Sequence, residues 1–156
     1  TNNGNSPMGF SFAGGIGAAI AAKENQNVVC VIGDGGFNMA MGEIETAKRM
    51  ELGINVIVVN NAASGYVKAL QHAMYGEGAY QSSDLSETNY AEVARALGCH
   101  GIRVEAPDLI KPALEEAFSK KNIPSLIDVI VTRDPAEMLP AVDNRATVIK
   151  KGDRIA

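Results

Sequence analysis

The 156-residue sequence has little of several things that would each point to a specialised class. Its two cysteines, Cys30 and Cys99, lie in or beside apolar, strand-like segments and form neither a disulfide framework nor a metal-spaced set. Two ordinary buried thiols fit a reducing compartment, here expected to be the cytoplasm. Lys+Arg number 14 against 18 Asp+Glu, a net charge of -4. That balance gives no electrostatic footprint for nucleic acid or an anionic membrane, and it is too small an acidic excess for disorder. No apolar run reaches the roughly 18 residues of a membrane span, and no basic-then-apolar leader opens the chain. His72 and His100 stand alone, without metal spacing; His100 reads as structural, and His72 could face a ligand. There is no internal repeat and no low-complexity block.

What is present is an ordinary globular composition, 46% hydrophobic with 16 glycines. A domain of this size buries about 68–70% of its unfolded surface and needs no staples. Residues 9–23 are rich in Gly and Ala and read as a small-residue helix that another backbone can approach closely. Residues 28–32 (VVCVI) and 54–59 (INVIVV) are short β-branched runs, read as buried strands. A single helix is expected over 37–52, with Glu45 and Arg49 as an i,i+4 pair and Gly53 as its stop. Further helices are expected to about residue 74 and over 90–97 and 108–121, with strands over 101–104 and 124–132. Strands alternating with helices imply an α/β fold, a three-layer α/β/α arrangement with a mainly parallel sheet. The domain is expected over 1–132. Residues 133–156 turn polar, carry Pro135 and Pro140, and read as a C-terminal arm.

Ligands of such folds sit at the carboxyl ends of the strands. Two of those ends carry unusual chemistry. Gly33-Asp34-Gly35-Gly36 follows the first strand as an expected tight turn, and Asn60-Asn61 closes the second. Glycines let a ligand come close to the backbone, and free N–H groups at a helix start favour an anion. A carboxylate there would repel a phosphate, so Asp34 makes sense with a cation between them. Mg²⁺ suits this, taking about six oxygens from one or two carboxylates, substrate phosphates and water. Asn61 can offer an amide oxygen, and the Ala62-Ala63-Ser64 turn a backbone carbonyl. The 24 residues between Gly35 and Asn60 suffice for one helix and one strand of a crossover. The plainer readings stay open: Asp34 as a helix cap, Asn60 and Asn61 as turn residues, Met8 as core. Turn chemistry is the better reading of Asn60. Gly14-Gly15-Ile16-Gly17 precedes the first strand rather than following it, so it reads as helix packing, not a dinucleotide loop.

GDG, 24 residues (the first of them Gly36) and then NN resembles the cofactor signature of thiamine diphosphate enzymes, specifically the acetolactate synthase-like group and related 2-oxo acid decarboxylases. The resemblance runs over about 6–142. It includes Met8-Gly9-Phe10 with GGIGAAIAA, Gly65-Tyr66-Val67, Tyr75, Tyr80, Asp84-Leu85, ALGCHGIRV and PSLIDVIV. It implies thiamine diphosphate and Mg²⁺ as cofactors, with Asp34, Asn61 and the Ala63 carbonyl as metal ligands. It implies Gly33, Gly35, Gly36 and Gly65 among the cofactor-binding residues. Met8 would be the wedge that bends the cofactor, and the Ser6 carbonyl would accept from its aminopyrimidine. A substrate wall of Tyr66, Val67 and Leu70 is implied, with core packing as the alternative. Leu70 and Tyr66 stand where acetolactate synthases usually carry Trp and Met, which points toward another 2-oxo acid or acyl acceptor.

The family's activating glutamate comes from a pyrimidine-binding domain. Glu43 and Glu45 follow GDGG on its helix and cannot supply it, so no catalytic residue is expected in this chain. The resemblance therefore implies one domain of a lyase or transferase acting on 2-oxo acids, incomplete alone and expected to self-associate as a homo-oligomer. Its alternatives are the small subunit of a two-subunit decarboxylase, or a non-catalytic phosphate-ligand-binding or assembly domain.

Overall fold

The computed structural model describes residues 7–23 and 25–138. Packing divides them into two units, one holding residues up to Asn60 with Thr88–Val131, the other Asn61–Glu87 with the residues from Thr132. The expected arm 133–156 therefore lies largely outside the described residues, as does Ser6.

The first unit is built on a four-stranded, wholly parallel sheet in the order β1-β2-β4-β3. Its strands are β1 (Val28–Gly33), β2 (Ile54–Asn60), β3 (His100–Val104) and β4 (Ser125–Ile130). Its helices are α1 (Phe10–Ala21), α2 (Asp34–Ala40), α3 (Ile44–Arg49), α5 (Tyr90–Ala96) and α6 (Ile110–Ser119). The second unit contributes α4 (Gly65–Tyr75). No described helix is long and apolar enough to cross a membrane.

Alternation along each strand sorts its side chains onto two faces. Cys30, Ile32, Ile54, Val56, Val58 and Leu126 meet Phe12 and Ile16 of α1, Phe37 of α2, Ile44 and Ala47 of α3, and Tyr90 and Ala94 of α5. Phe37 is the middle of an aromatic chain, its ring 5.7 Å from Phe12 and 5.5 Å edge-on to Tyr90. The opposite face carries a smaller core of Val104 and Ile127 against Ala113 and Ala117 of α6. The three layers are thus uneven: Val29, Val31 and Val59 on β1 and β2 remain exposed.

Two expectations need correction. The helix over 37–52 is broken into α2, a 3₁₀ turn over Met41–Glu43, and α3. Gly42 sits at the break, where its poor helix propensity, about 1 kcal/mol below alanine, makes interruption cheap. The expected Glu45–Arg49 pair does form, at 3.1 Å. The chain leaves α3 through Glu51, which takes the left-handed φ of 51° that was expected of a glycine stop. In α1 only Gly15 meets the expected close approach, since a Cβ there would lie 2.0 Å from Cys30 Sγ; at Gly17 nothing lies within 4 Å.

The aromatic chain and the exposed valines predict opposite responses to substitution. Phe37→Ala should lower unfolding free energy by about 3–5 kcal/mol. Val31→Thr should change it by less than about 0.5 kcal/mol. Urea denaturation followed by circular dichroism measures both.

Candidate cofactor site

Parallel pairing of β1 with β2 sets Gly33 opposite Val59. The two strands therefore end side by side, one leading directly into Asp34 and the other ending in Asn60. The expected four-residue turn is shorter than the sequence suggested, because α2 already begins at Asp34. Gly33 is the N-cap residue, with an ordinary φ of -74°. Gly35 and Gly36 are likewise absent from the left-handed region. What the glycines supply is space: a Cβ on Gly36 would stand 3.2 Å from Ile32 Cγ1 and 3.5 Å from the Gly9 nitrogen. Asp34 is 3% exposed, and its Oδ1 accepts from the Gly35 N–H at 2.8 Å. It is thus not the cap residue itself, although its carboxylate does engage the first turn.

Met8 is not core. It is 56% exposed on the rim of a groove of about 420 Å³, together with Phe10, Met39 and Glu43.

Asn60 is more than a turn residue. Its Nδ2 donates to the Asp128 Oδ1 at 2.9 Å and to the Thr88 carbonyl at 3.0 Å. Asp128, fully buried on β4, also accepts at Oδ2 from the Tyr90 N–H at 3.0 Å and from Arg103 at 3.2 Å. The Tyr90 hydroxyl donates to Asn38 Oδ1 on α2 at 2.9 Å. Burial raises the Tyr90 pKa most; the Asp34 and Asp128 carboxylates raise it further, against the hydrogen bond to Asn38.

The second unit carries the remaining expected residues. Asn61 Oδ1 accepts from the Ala63 N–H at 3.2 Å, and Ala62 between them takes a left-handed φ of 48°. Gly65 opens α4 where a Cβ would lie 2.7 Å from Asn61 Nδ2, so the glycine leaves room for that amide. The loop after α4 returns to pair Ala63 with Asp84 in an antiparallel bridge, with Ser64 N–H donating to the Ser83 carbonyl at 2.7 Å. Lys68, largely buried, holds Asp84 at 2.5 Å and lies 5.2 Å from the centre of the Tyr80 ring. His72 Nδ1 stands 2.9 Å from the Tyr80 hydroxyl, so it is engaged within its own unit. Tyr66 is 71% and Val67 50% exposed, which removes them from the core of this unit; Leu70 is half-buried. His100 opens β3 beside Glu116 of α6, in keeping with a structural role.

Each unit by itself offers hard oxygen donors of the kind Mg²⁺ takes: the first the buried Asp34 carboxylate, the second the Asn61 amide oxygen and the backbone carbonyls of its turn. Among the described residues no three of His, Cys, Asp and Glu gather as a protein-only metal cage. Sequence reasoning gave no role to Asp128, Tyr90 or Lys68, and named Asp84 only within the resemblance. Asp128 left a signal, an acid in the middle of the apolar run SLIDVIV.

Comparison with known proteins gives a consistent picture. Residues 1–129 match the model of the family described as thiamine pyrophosphate enzyme, C-terminal TPP binding domain. The chain is 34% identical over 135 residues to a probable acetolactate synthase large subunit of Methanocaldococcus jannaschii, covering 86% of this chain and 22% of that protein. It is 35% identical over 130 residues to the acetolactate synthase large subunit of Haemophilus influenzae, covering 83% and 22%. The fold is shared with benzoylformate decarboxylase from Polynucleobacter necessarius at a TM-score of 0.73 and 24% identity, over 83% of this chain and 25% of that one. The chain thus spans about a fifth of the length of these acetolactate synthase subunits.

Because its folded pKa is raised, Tyr90 holds its proton after the unfolded chain has lost its own. Its contribution to stability is present below the ordinary tyrosine value of 10.0 and is lost as pH rises through the higher folded value. In an absorbance titration at alkaline pH, Tyr90→Phe should remove the highest-pH phenolate step and weaken the alkaline loss of stability.

Proposed function

The chain belongs to the thiamine pyrophosphate enzyme family as its C-terminal TPP-binding domain, acetolactate synthase-like, and from this we propose that it serves a Mg²⁺-dependent enzyme acting on 2-oxo acids, by decarboxylation or carboligation. The observation that carries the reading is the buried Asp34 carboxylate, one residue beyond a strand end that lies beside the end of β2. In the absence of a cation such a group would oppose the diphosphate; with one it becomes a ligand.

We assign Asp34, the Asn61 amide oxygen and the Ala63 carbonyl to Mg²⁺. The Gly33, Gly35 and Gly36 backbone lets the diphosphate approach, and Gly65 acts by leaving the Asn61 amide its room. Met8, exposed and apolar, is the wedge against the cofactor's middle. Ser6, outside the described residues, is assigned the aminopyrimidine contact. Tyr66, Val67 and Leu70 are the substrate wall; their exposed or half-exposed side chains are available for it. When bound, the cofactor supplies the nucleophilic carbon and the electron sink for loss of carbon dioxide. The work of these residues is to bind, orient and neutralise.

The activating carboxylate belongs to a pyrimidine-binding domain, in the same longer chain or in a partner subunit, so this chain alone has no turnover. Its length, a fifth of its relatives', supports that division. Residues 133–156, of which 139–156 lie outside the described residues, are assigned to a C-terminal arm on their polar, proline-bearing sequence alone. Exposed Met8, Phe10 and Met39 support self-association or docking of that second domain. The two free, buried thiols Cys30 and Cys99 suit a reducing cytoplasm.

Calorimetry tests the reading. Thiamine diphosphate should bind only when Mg²⁺ is present, and Asp34→Ala should abolish the heat while leaving the circular dichroism spectrum unchanged. Equal binding in EDTA would overturn the metal assignment.

A further inference from the structure

We infer that Asp128 is a positioning residue for the metal site, through a buried brace that ties together the two elements carrying the assigned ligands. This rests on the Mg²⁺-dependent reading above. Asp34 begins α2, and Asn61 follows the last residue of β2 by one peptide bond. These elements are joined in sequence only through a broken helical crossover, with Gly42 at its break. The β1–β2 pairing sets the strand ends side by side, and one acid adds a tie behind them between the tip of β2 and α2.

The geometry has two branches. In the first, Asp128 Oδ1 accepts from Asn60 Nδ2 at 2.9 Å, fixing the tip of β2. In the second, Asp128 Oδ2 accepts from the Tyr90 N–H at 3.0 Å. Tyr90 reaches α2 twice, by its hydroxyl to Asn38 at 2.9 Å and by its ring, 5.5 Å edge-on to Phe37. Arg103 from β3 supplies a positive charge at 3.2 Å, which balances the buried carboxylate. A neutral acceptor could not serve all three donors. A structural acid in the sheet would need only Arg103; what assigns Asp128 to the site is that its other bonds run to the tip of β2 and, through Tyr90 of α5, to α2. Groups hydrogen-bonded directly to a ligand govern metal affinity by roughly 10–100-fold; Asp128 stands one residue further back, so the low end of that range is its upper bound.

The test uses the 156-residue chain with Mn²⁺ and thiamine diphosphate, free Mn²⁺ being read by electron paramagnetic resonance. Asp128→Asn keeps the shape but turns one acceptor into a donor facing a donor. It should raise the Mn²⁺ concentration needed for half-saturation by up to about tenfold. Asn60→Ala and Tyr90→Phe each cut one branch and should give smaller shifts in the same direction. Leu114→Ala, in the α6 core on the other face, is the control: it should lower the melting temperature and leave the Mn²⁺ midpoint in place. If Asp128→Asn does not fold, the two branch variants decide. Unchanged midpoints in the branch variants, or an equal shift in Leu114→Ala, would overturn the brace. Failure of the unaltered chain to take up Mn²⁺ with the cofactor would instead overturn the underlying reading.

Discussion

Parallel pairing between β1 and β2 is the constraint on which the rest of this structure depends. A parallel pair fixes both strand directions, so both carboxyl ends fall on one edge of the sheet. The register Gly33 to Val59 then decides that the residues following those ends are neighbours rather than merely co-directional. Moving that register by one residue would turn the β1 side chains to the opposite face and shift Asp34 along the sheet relative to Asn60. The two strand ends are therefore held first by backbone hydrogen bonds and only second by side chains.

The second holding force is polar and lies within an otherwise apolar core. Asp128 is 0% exposed, yet it is surrounded by donors from β2, β3 and α5. Removing the carboxylate would take the acceptor from the buried Tyr90 N–H and one partner each from the Asn60 amide and Arg103. The face that carries it also carries the aromatic chain Phe12–Phe37–Tyr90, so packing and hydrogen bonding converge on α2. The opposite face, with α6 alone, has neither feature and makes no contribution to the strand ends.

Most of the fold was legible in the sequence, because β-branched runs and alternating helices report burial directly. Residues 28–32 and 54–59 name their strands within a residue. The GDGG and NN signals named the strand ends that matter, since few other pressures put glycines and amides there. Legibility failed where tertiary partners decide the outcome. The break at Gly42 was missed because apolar spacing continues across it. The left-handed turn was placed on Gly53 although Glu51 adopts it. Asn60 looked like turn chemistry, because its acceptor lies 68 residues further along the chain. Lys68 carries no mark in the sequence, and the returning loop with Asp84 supplies the partner for its burial.

The uneven cover of the sheet has a consequence of its own. Among the described strands β1 lies at one margin, with a row of amides and carbonyls on its outer side, and Val29 and Val31 stand bare on one flat surface. A margin of that kind is a template for adding a foreign strand, and natural proteins usually shield such margins with charge, proline or covering chain. The segment VVCVIG has neither charge nor proline. Left uncovered, such a margin invites cross-β stacking, so anything that packs on Val29 and Val31 would guard against aggregation as well as add to the structure.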